Sequence, residues 1–284
     1  MKMLIQNYSS HYTTEPFYLV ESFRRAGIDA HLWGDVNTSA FDMFDTVQPD
    51  VFIGHFAYLT EDVVKYLSQN KNIKTVVNVT GTNKQQLKGI TDTFISMGLE
   101  NVVLFTNNYV YSGEDSVHKI LPAFDVFIQR NEPQFNLPLA VIANGKTDFV
   151  DDFVKDKDVY HLVSYGANEE WADFMTDIRN FWAVSACYDD VTVIDDGLVS
   201  TSQFFFQATM MCNKLNITSQ TEEQRDAFQE ILSMLFESEE TSQDVGGVIR
   251  KQILKNHTCF NRASQLAGIL GLKEESKKLL EMIE

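Results

Sequence analysis

The feature that most constrains the fold is a regular alternation of short apolar runs with amphipathic stretches. Residues 2–6 form an apolar run typical of a strand, and residues 16–26 carry apolar side chains at helical spacing before Gly27. Further strands are predicted at 29–33, 50–53, 74–79, 101–106 and 125–129, and further helices at 60–69, with Thr60 as its cap, and at 84–97. This alternation predicts an α/β domain with one doubly wound, mostly parallel sheet.

A second α/β region follows a segment rich in chain-breaking residues. Residues 130–145 contain Pro133, Pro138 and Gly145, which indicates a crossing between domains. Beyond it, strands are predicted at 159–163, 191–194 and 215–218, helices at 169–186, 201–213 and 222–237, and a helical tail at 246–284. We therefore expect two Rossmann-like domains, residues 1–130 and 131–284. Their strand ends should face a cleft that holds the ligand.

Charge and cysteine usage exclude several classes of protein. Forty acidic against 23 basic residues give a net charge of −17, which disfavours nonspecific binding to nucleic acid or to an anionic membrane. The sequence has neither an apolar run of about 18 residues nor a signal-peptide core, so we expect a cytoplasmic protein rather than a periplasmic-type solute-binding protein. Cys187, Cys212 and Cys259 are too widely spaced for a disulfide framework or a zinc site and indicate reduced thiols.

One strand-to-helix corner has the composition of a phosphate site. The stretch STSQFFFQATMM at 200–211 follows the predicted strand 191–194 and opens an amphipathic helix. The hydroxyls of Ser200, Thr201 and Ser202 lie beside free helix amides, which attract an anion without a nearby lysine. The alternative is a capped helix that packs on its sheet. The fingerprints of dinucleotide-binding, P-loop, zinc-protease and serine-hydrolase sites are absent from the sequence.

Three residues near predicted strand ends are candidates for proton transfer. His11 lies in the loop after the first strand and His55 after the third, and a neutral histidine can remove a proton from an acceptor hydroxyl. Glu15 is a possible orienting partner for His11 or a competing base. The alternatives are surface histidines without a function and a glutamate that occupies the first turn of a helix.

Other residues suit contacts to a nucleotide. Arg130 follows a predicted strand and can grip a phosphate bidentately, although a surface salt bridge is the alternative. At the first corner of the second domain, Gly166 allows close backbone approach and Tyr165 can stack on a base. Asp195 and Asp196 are more typical of a turn than of a metal site, so we predict no obligatory metal.

Three segments resemble elements of the two-domain GT-B class of glycosyltransferases: LPAFDVFIQRN at 121–131, STSQFFFQATMM at 200–211 and NHTCFNRASQL at 256–266. The nearest likeness is the family typified by the spore-maturation protein CgeB. It commonly has a Leu-Pro-Ala-Asp element, a donor-side helix reading Arg/Gln-x-Phe-Glu-Ala and a late His-Thr-Tyr-x-x-Arg-Ala segment. The resemblance implies donor-binding roles for Gln203, Gln207, His257 and Arg262. The family glutamate is Gln207 here, a neutral acceptor of weaker hydrogen bonds.

The resemblance implies a nucleotide-sugar-dependent hexosyl- or pentosyltransferase without an obligatory cofactor. The donor would bind the C-terminal domain and the acceptor the N-terminal one. Bacteriophage relatives decorate hydroxymethylated DNA bases, so DNA in a host cytoplasm is one possible acceptor. The acidic charge disfavours DNA unless cations gather along the cleft, with Lys84, Lys88, Arg130 and Lys146 as candidates. The alternative is a non-catalytic nucleotide-sugar-binding protein on the same scaffold, in which Gln207 marks lost donor chemistry.

Overall fold

The computed structural model divides the chain into two compact units. The first comprises Met1–Ser10, Thr14–Leu121 and Cys259–Glu284, and the second comprises His11–Thr13 and Pro122–Thr258. The residues that the structure describes are 1–8, 15–34, 38–80, 82, 84–99, 101–106, 117–121, 123–127, 140–143, 160–163, 184–187, 191–194, 197–200, 247–248 and 251–283.

A parallel sheet forms the centre of the first unit. Its strands in the described residues are β1 (Lys2–Gln6), β2 (Asp29–Trp33), β3 (Val51–His55), β4 (Lys74–Asn78), β5 (Val102–Thr106) and β6 (Val117–Lys119). Every pairing between neighbours is parallel, in the order β2-β1-β3-β4-β5-β6. The helices are α1 (Glu15–Arg25), α2 (Ala40–Val47), α3 (Glu61–Gln69), α4 (Lys84–Ser96), α5 (Cys259–Ile269) and α6 (Lys273–Glu281). The predicted α/β class with a Rossmann-like parallel sheet is confirmed.

Local signals fix the ends of several of these helices. The Thr60 side chain accepts a hydrogen bond from the Val63 amide at 3.4 Å and caps α3, as predicted. Gly27 has a φ of +90° directly after α1, a conformation that glycine adopts without steric strain. Helix α2 and strand β6 are additional to the predicted elements. Ser39 caps α2 by accepting from the Asp42 amide at 3.1 Å.

The face of the sheet covered by α2, α3 and α4 is an apolar core. Phe44 of α2 packs against Phe52 of β3, with ring centroids 5.2 Å apart, and stacks on Tyr66 of α3 at 4.6 Å. Leu87 and Phe94 extend the same cluster along α4. Burial of aromatic and branched side chains provides most of the stabilisation of such a layer.

Helices α1, α5 and α6 form a second layer. Helix α5 packs on α1 and on α6, and α6 also contacts α1. Reciprocal hydrogen bonds join α5 to α6, because the Ser264 hydroxyl donates to the Ser276 carbonyl at 3.0 Å and the Ser276 hydroxyl donates to the Ser264 carbonyl at 3.1 Å. Lys74 donates to the Leu270 carbonyl at 3.0 Å and satisfies the end of α5. Residues 259–284 of the predicted helical tail therefore belong to the first unit, whereas residues 246–258 belong to the second.

The described strands of the second unit form two small sheets. One is parallel, in the order β8-β7-β9, with β7 (Ala140–Ala143), β8 (Tyr160–Val163) and β9 (Val184–Cys187). The other is an antiparallel pair, β10 (Val191–Ile194) and β11 (Gly197–Ser200). The predicted strands at 159–163 and 191–194 are confirmed. Strand β7 falls in the predicted linker, and β9 replaces the end of the predicted helix 169–186, because its backbone pairs with β7.

Two further expectations fail for local reasons. The predicted strand 125–129 is interrupted, because the Asp125 side chain accepts a hydrogen bond from the Phe127 amide at 2.9 Å and residues 126–127 form a turn. Ser200 ends β11, where it pairs with Val191, so an additional antiparallel strand separates it from the predicted strand 191–194. In the part of the chain that the structure describes, no helix has the length and apolar composition needed to cross a bilayer.

Candidate functional site

The carboxyl edge of the first unit's sheet gathers polar side chains where the strand order reverses. Strand β1 lies between β2 and β3, so the connections leave it in opposite directions, and such a switch point is where open α/β sheets bind ligands. Gln6, His55 and Asn78 are the last residues of β1, β3 and β4. All three are polar although their strands are otherwise largely apolar.

Gln6 joins β1 to β3 at this edge. Its amide nitrogen donates to the Tyr58 carbonyl at 2.8 Å, and its amide oxygen accepts from the His55 backbone N–H at 3.4 Å. Gly54 permits this approach, since a Cβ there would lie 2.9 Å from the Gln6 oxygen and from the Phe52 ring. The Gln6 side chain is therefore a structural support of the edge.

Glu15, the first residue of α1, is the centre of a hydrogen-bonded cluster at the same edge. Its Oε2 accepts from the Tyr8 hydroxyl at 2.8 Å and from the Asn78 side-chain amide at 2.9 Å. Its Oε1 accepts a longer bond of 3.4 Å from Tyr18, one turn along α1. The structure thus brings one of the three proposed proton-transfer residues into contact with groups from β1, α1 and β4.

Burial raises the pKa of the Glu15 carboxyl and outweighs several surrounding groups that lower it. Hydrogen bonds from Tyr8, Asn78 and Tyr18 lower the pKa, as does the positive charge of Arg262. Burial, followed by the negative charge of Glu15, raises the pKa of both Tyr8 and Tyr18 well above the ordinary tyrosine value. The two hydroxyls therefore stay protonated at neutral pH and act as donors to the carboxylate.

Asn78 has a single orientation in this cluster. Its Oδ1 accepts a hydrogen bond from the Thr80 backbone N–H at 2.9 Å, which requires an oxygen on that side of the amide. The amide nitrogen must then face Glu15. The backbone after β4 therefore determines that Glu15 meets a donor and not a second acceptor.

Both ring nitrogens of His55 are engaged in the structure. Nδ1 accepts from the Ala57 backbone N–H at 3.2 Å, and a further bond to the Thr80 backbone favours the protonated form, as a bond donated by the ring does. Burial nevertheless lowers the His55 pKa to about 4, so the imidazole is neutral at pH 7. Action as a base would require one of these two bonds to break.

Arg262 and His257 belong to different units of the chain. Arg262 belongs to α5 of the first unit, where only 2% of its surface is exposed, and its charge acts on Tyr18 and Glu15. The guanidinium is therefore buried and not at the surface. His257 belongs to the second unit, is buried, and uses its backbone carbonyl to accept from the Phe124 amide at 2.8 Å.

Two of the segments quoted for the family resemblance contact one another. Phe124, in the segment 121–131, pairs with Thr258, in the segment 256–266, through a parallel bridge. Asp125 and Thr258 are both buried next to this bridge. Sequence stretches that lie more than a hundred positions apart are thus one structural feature of the second unit.

Several predicted residues lie outside the described ranges, so their roles remain predictions. These are His11, Arg130, Tyr165, Gly166, Thr201, Ser202, Gln203, Gln207, Lys146 and the pair Asp195 and Asp196. The side chains of Ser200 and Lys84 are likewise outside the description, while Lys88 forms an exposed ion pair with Asp92 at 2.9 Å. Within the described ranges, no group of three His, Cys, Asp or Glu side chains has the arrangement of a metal site.

Sequence reasoning missed Tyr8, Tyr18 and Asn78, which donate to Glu15 among the described residues. Asn78 ends a predicted strand and Tyr8 follows another by two residues, so the rule that ligands meet strand ends could have found both. Tyr18 lies three positions after Glu15 on a predicted helix, a spacing that places two side chains on one face. Only the tertiary fold shows that all three converge on one carboxylate.

A surface cavity of about 330 Å³ lies at the opposite edge of the sheet, near the amino ends of β4 and β5. Its lining residues are Lys71, Asn72, Lys74, Asn101, Val102 and Val103. One of its two cations, Lys74, already donates to the Leu270 carbonyl. Because ligands of open α/β sheets bind at the carboxyl edge, we assign the candidate site to the Glu15 cluster.

The comparisons with known proteins concern the fold alone. No protein-family profile matches the chain, and no curated protein does. The chain is similar to a calicheamicin glycosyltransferase at 10% identity, covering 95% of this chain and 98% of that one with a TM-score of 0.46. It is similar to the UDP-GlcNAc 2-epimerase from Neisseria meningitidis bound to UDP-GlcNAc, at 10% identity, 96% and 100% coverage and a TM-score of 0.48. It is also similar to a glycosyltransferase from Streptomyces nogalater at 9% identity, covering 95% of this chain and 98% of that one with a TM-score of 0.46.

At these scores the likeness carries no argument about activity. It agrees with an α/β chain built on Rossmann-like parallel sheets, which the strand order already establishes. The resemblance to the CgeB-type family stays a prediction.

Proposed function

We propose that the protein is a nucleotide-sugar-dependent glycosyltransferase of the GT-B class. The observation that carries this proposal is the Glu15 carboxylate, held by three donors at the carboxyl edge of a Rossmann-like sheet, where ligands of such sheets bind. The contact between the segments around Phe124 and Thr258 gives further support, because both belong to the family resemblance.

In this proposal Glu15 receives the proton of the acceptor hydroxyl. The acceptor oxygen bonds to the anomeric carbon, and the bond from that carbon to the donor phosphate breaks with its electron pair leaving on the nucleoside diphosphate. A base is most effective when its pKa is near the working pH, and burial raises the Glu15 pKa in that direction. His11 remains the competing base, with Glu15 as its orienting partner. His55 is the weakest candidate because burial lowers its pKa to about 4, which makes the imidazole a weak base at neutral pH.

The donor half of the proposal rests on the sequence. Helix amides after Ser200, together with the polar side chains at positions 201–203 and 207, would bind the diphosphate and the ribose. Arg130, Tyr165, Gly166 and His257 complete the proposed donor contacts. Arg262 lies on α5 of the first unit, and the donor contact that the resemblance implies for it stays a prediction. The proposed acceptor is a soluble hydroxyl compound. A hydroxymethylated base in DNA is a more specific proposal for the acceptor, and the net charge of −17 disfavours it.

The decisive experiment measures nucleoside diphosphate release from a panel of UDP-, GDP- and dTDP-sugars, with and without hydroxyl acceptors. The wild type should release diphosphate with at least one donor. Glu15→Gln should lower turnover by about 10²- to 10⁴-fold while its melting temperature stays measurable and cooperative. Glu21→Gln, an exposed glutamate on the same helix, is the matched control and should retain wild-type turnover. Full activity of Glu15→Gln would transfer the base role to His11.

A second candidate is a non-catalytic nucleotide-sugar-binding protein. Gln207 and the three donors around Glu15 favour it, since a carboxylate bound by donors from three elements also serves to fix a fold. This candidate predicts that a nucleotide sugar raises the melting temperature without release of diphosphate under any acceptor condition. Release above the rate of the donor alone would reject it.

A further inference from the structure

Two aromatic side chains are exposed at the carboxyl edge of the first unit's sheet. They are Phe17, in the first turn of α1, and Tyr58, which ends a single turn of 3-10 helix (Phe56–Tyr58) directly after β3. No other phenylalanine, tyrosine or tryptophan is exposed in the part of the chain that the structure describes. One exposed ring needs no explanation by itself, so the surroundings of each ring decide whether it has a function.

Tyr58 is the most exposed member of a contiguous series of rings. Its centroid lies 5.8 Å from that of His55, and the His55 centroid lies 5.4 Å from that of Tyr8. The Tyr8 hydroxyl in turn donates to Glu15 at 2.8 Å. The series therefore leads from the proposed base to a ring that is open to solvent. Phe17 has no such place, because it lies two positions after Glu15 on α1 and side chains at that spacing do not share a helix face.

The Tyr58 ring is held in place while part of it stays accessible. The planes of Tyr58 and His55 meet at 71°, an edge-to-face contact that uses at most one face of the tyrosine, and 48% of the residue is exposed. The backbone is fixed, because Gln6 donates to the Tyr58 carbonyl at 2.8 Å and the His55 ring accepts from the Ala57 amide at 3.2 Å. A surface that is ordered before the ligand arrives loses less conformational entropy on binding.

The charges around Tyr58 disfavour an anionic ligand. Helix α3 begins three residues later with two exposed carboxylates, Glu61 and Asp62, and Glu15 is the carboxylate at the other end of the ring series. No lysine or arginine occurs between residues 51 and 64. His55 adds no positive charge at neutral pH, because burial lowers its pKa to about 4. Since like charges repel, this surface favours a ligand without negative charge.

We propose that Tyr58 is the stacking residue for the acceptor, and that the acceptor is a hydroxylated ring compound without negative charge. The flat face of the ring, either aromatic or the C–H face of a sugar, packs on Tyr58 while a hydroxyl of the same molecule reaches Glu15. This inference rests on the proposed function, because it names the class of acceptor whose proton Glu15 receives. Tyr58 determines specificity and takes no part in the proton transfer.

The first test is a ligand-observed NMR titration of the full-length protein without a donor. The ring probes are 4-hydroxybenzyl alcohol and methyl β-glucopyranoside, glycerol is the ringless polyol, and 4-hydroxybenzoate is the anionic analogue. At least one ring probe should bind more tightly than glycerol and 4-hydroxybenzoate, and the one that binds identifies the kind of ring. Binding of glycerol or 4-hydroxybenzoate as tight as that of the ring probes would overturn the proposal, as would no binding of either ring probe.

Substitutions decide whether the ring binds at Tyr58. Tyr58→Ala should weaken binding of the ring probe by about tenfold, and Tyr58→Phe should retain the wild-type affinity because it keeps the ring. Phe17→Ala removes a ring of nearly equal exposure from the same edge of the sheet and should leave the affinity unchanged. Undiminished affinity in Tyr58→Ala, or an equal loss in Phe17→Ala, would overturn the proposal. Tyr58→Leu, which lacks an aromatic face, replaces Tyr58→Ala if that variant loses its cooperative melting transition.

Turnover separates a failure of this inference from a failure of the proposed function. When both hold, Tyr58→Ala raises the KM for the ring acceptor by about tenfold, with a smaller change in kcat. If the wild type transfers sugar to ringless acceptors as efficiently as to ring acceptors, the proposed function holds and this inference is overturned. If the wild type turns over no donor, the proposed function fails and the acceptor role of Tyr58 fails with it, whereas the titrations still decide whether Tyr58 binds a ring.

Discussion

The helix layers of the first unit differ in what they bury. Helices α2, α3 and α4 cover the sheet with an almost purely apolar cluster centred on Phe44 and Phe52. The layer of α1 and α5 contains a buried guanidinium, Arg262, and a half-buried carboxylate, Glu15, which lies beside the buried Tyr8 and Tyr18. The comparison teaches that the apolar layer accounts for stability, whereas the polar layer carries groups that a fold selected only for stability would replace with hydrocarbon.

The largest effect should come from truncation in the apolar layer. Phe44→Ala removes a fully buried ring that packs on Phe52 and Tyr66, and it should lower the free energy of unfolding by about 4 kcal/mol. Urea titration measures the change. Ile95→Ala on α4, an exposed apolar side chain, is the control and should change stability by no more than about 0.5 kcal/mol. Equal losses of unfolding free energy in the two variants would contradict the assignment of stability to the apolar layer.

Acid should weaken the fold through His55. Its pKa is about 4 when folded against 6.5 for an unperturbed histidine, so the unfolded chain binds more protons between these values and stability falls as the pH drops through this window. The loss should reach about 2–3 kcal/mol. His55→Asn should flatten this part of the stability curve. His31→Asn, which removes an exposed histidine of β2, should retain the loss.

A matched pair of tyrosines distinguishes a part-buried bond from an exposed one. Tyr8 and Tyr66 each donate to a carboxylate at 2.8 Å, Tyr8 to Glu15 within the cluster and Tyr66 to Asp45 at the surface. Tyr8→Phe should cost about 1–2 kcal/mol because it leaves a half-buried carboxylate with one donor fewer. Tyr66→Phe should cost about 0.5 kcal/mol or less. Thermal unfolding measures both losses. A larger loss of stability in Tyr66→Phe than in Tyr8→Phe would contradict this comparison.

The smallest effects should have opposite signs at two glycines. Gly27→Ala forces a side chain into a φ of +90° after α1 and should destabilise by about 1 kcal/mol. Gly89→Ala lies within α4 with open space around the added methyl group and should stabilise by about 0.5–1 kcal/mol. Differential scanning calorimetry resolves shifts of this size. Destabilisation by Gly89→Ala would show that α4 is constrained at that position.

The sequence predicted the elements whose periodicity is long and uninterrupted. The strand runs from β1 to β5 and the helices α1, α3 and α4 appear with ends shifted by one or two residues, because strong apolar alternation and the Thr60 and Gly27 signals mark them. Helix α2 was missed although Ala40, Phe44 and Val47 have helical spacing, since eight residues give few repeats. Strands β7, β9 and β11 have four residues each, and sheet pairing determines them more than composition does.

The candidate site was predictable only in part. Glu15 was nominated from its place after a strand, but its donors come from residues 8, 18 and 78, which no local spacing connects. Arg262 was nominated for a phosphate; it is buried on α5, which packs on α1, and its role at a phosphate stays a prediction. Such convergence depends on long-range packing that one-dimensional patterns do not contain.

The return of α5 and α6 to α1 has a consequence for biosynthesis. A ribosome makes α5 about 250 residues after α1, a delay of roughly 10–50 s at ordinary elongation speeds. Throughout that interval the nascent first sheet lacks the two helices that cover α1. Chaperones that shield exposed apolar patches therefore have a window of engagement, which closes when α5 and α6 have left the ribosome and docked on α1.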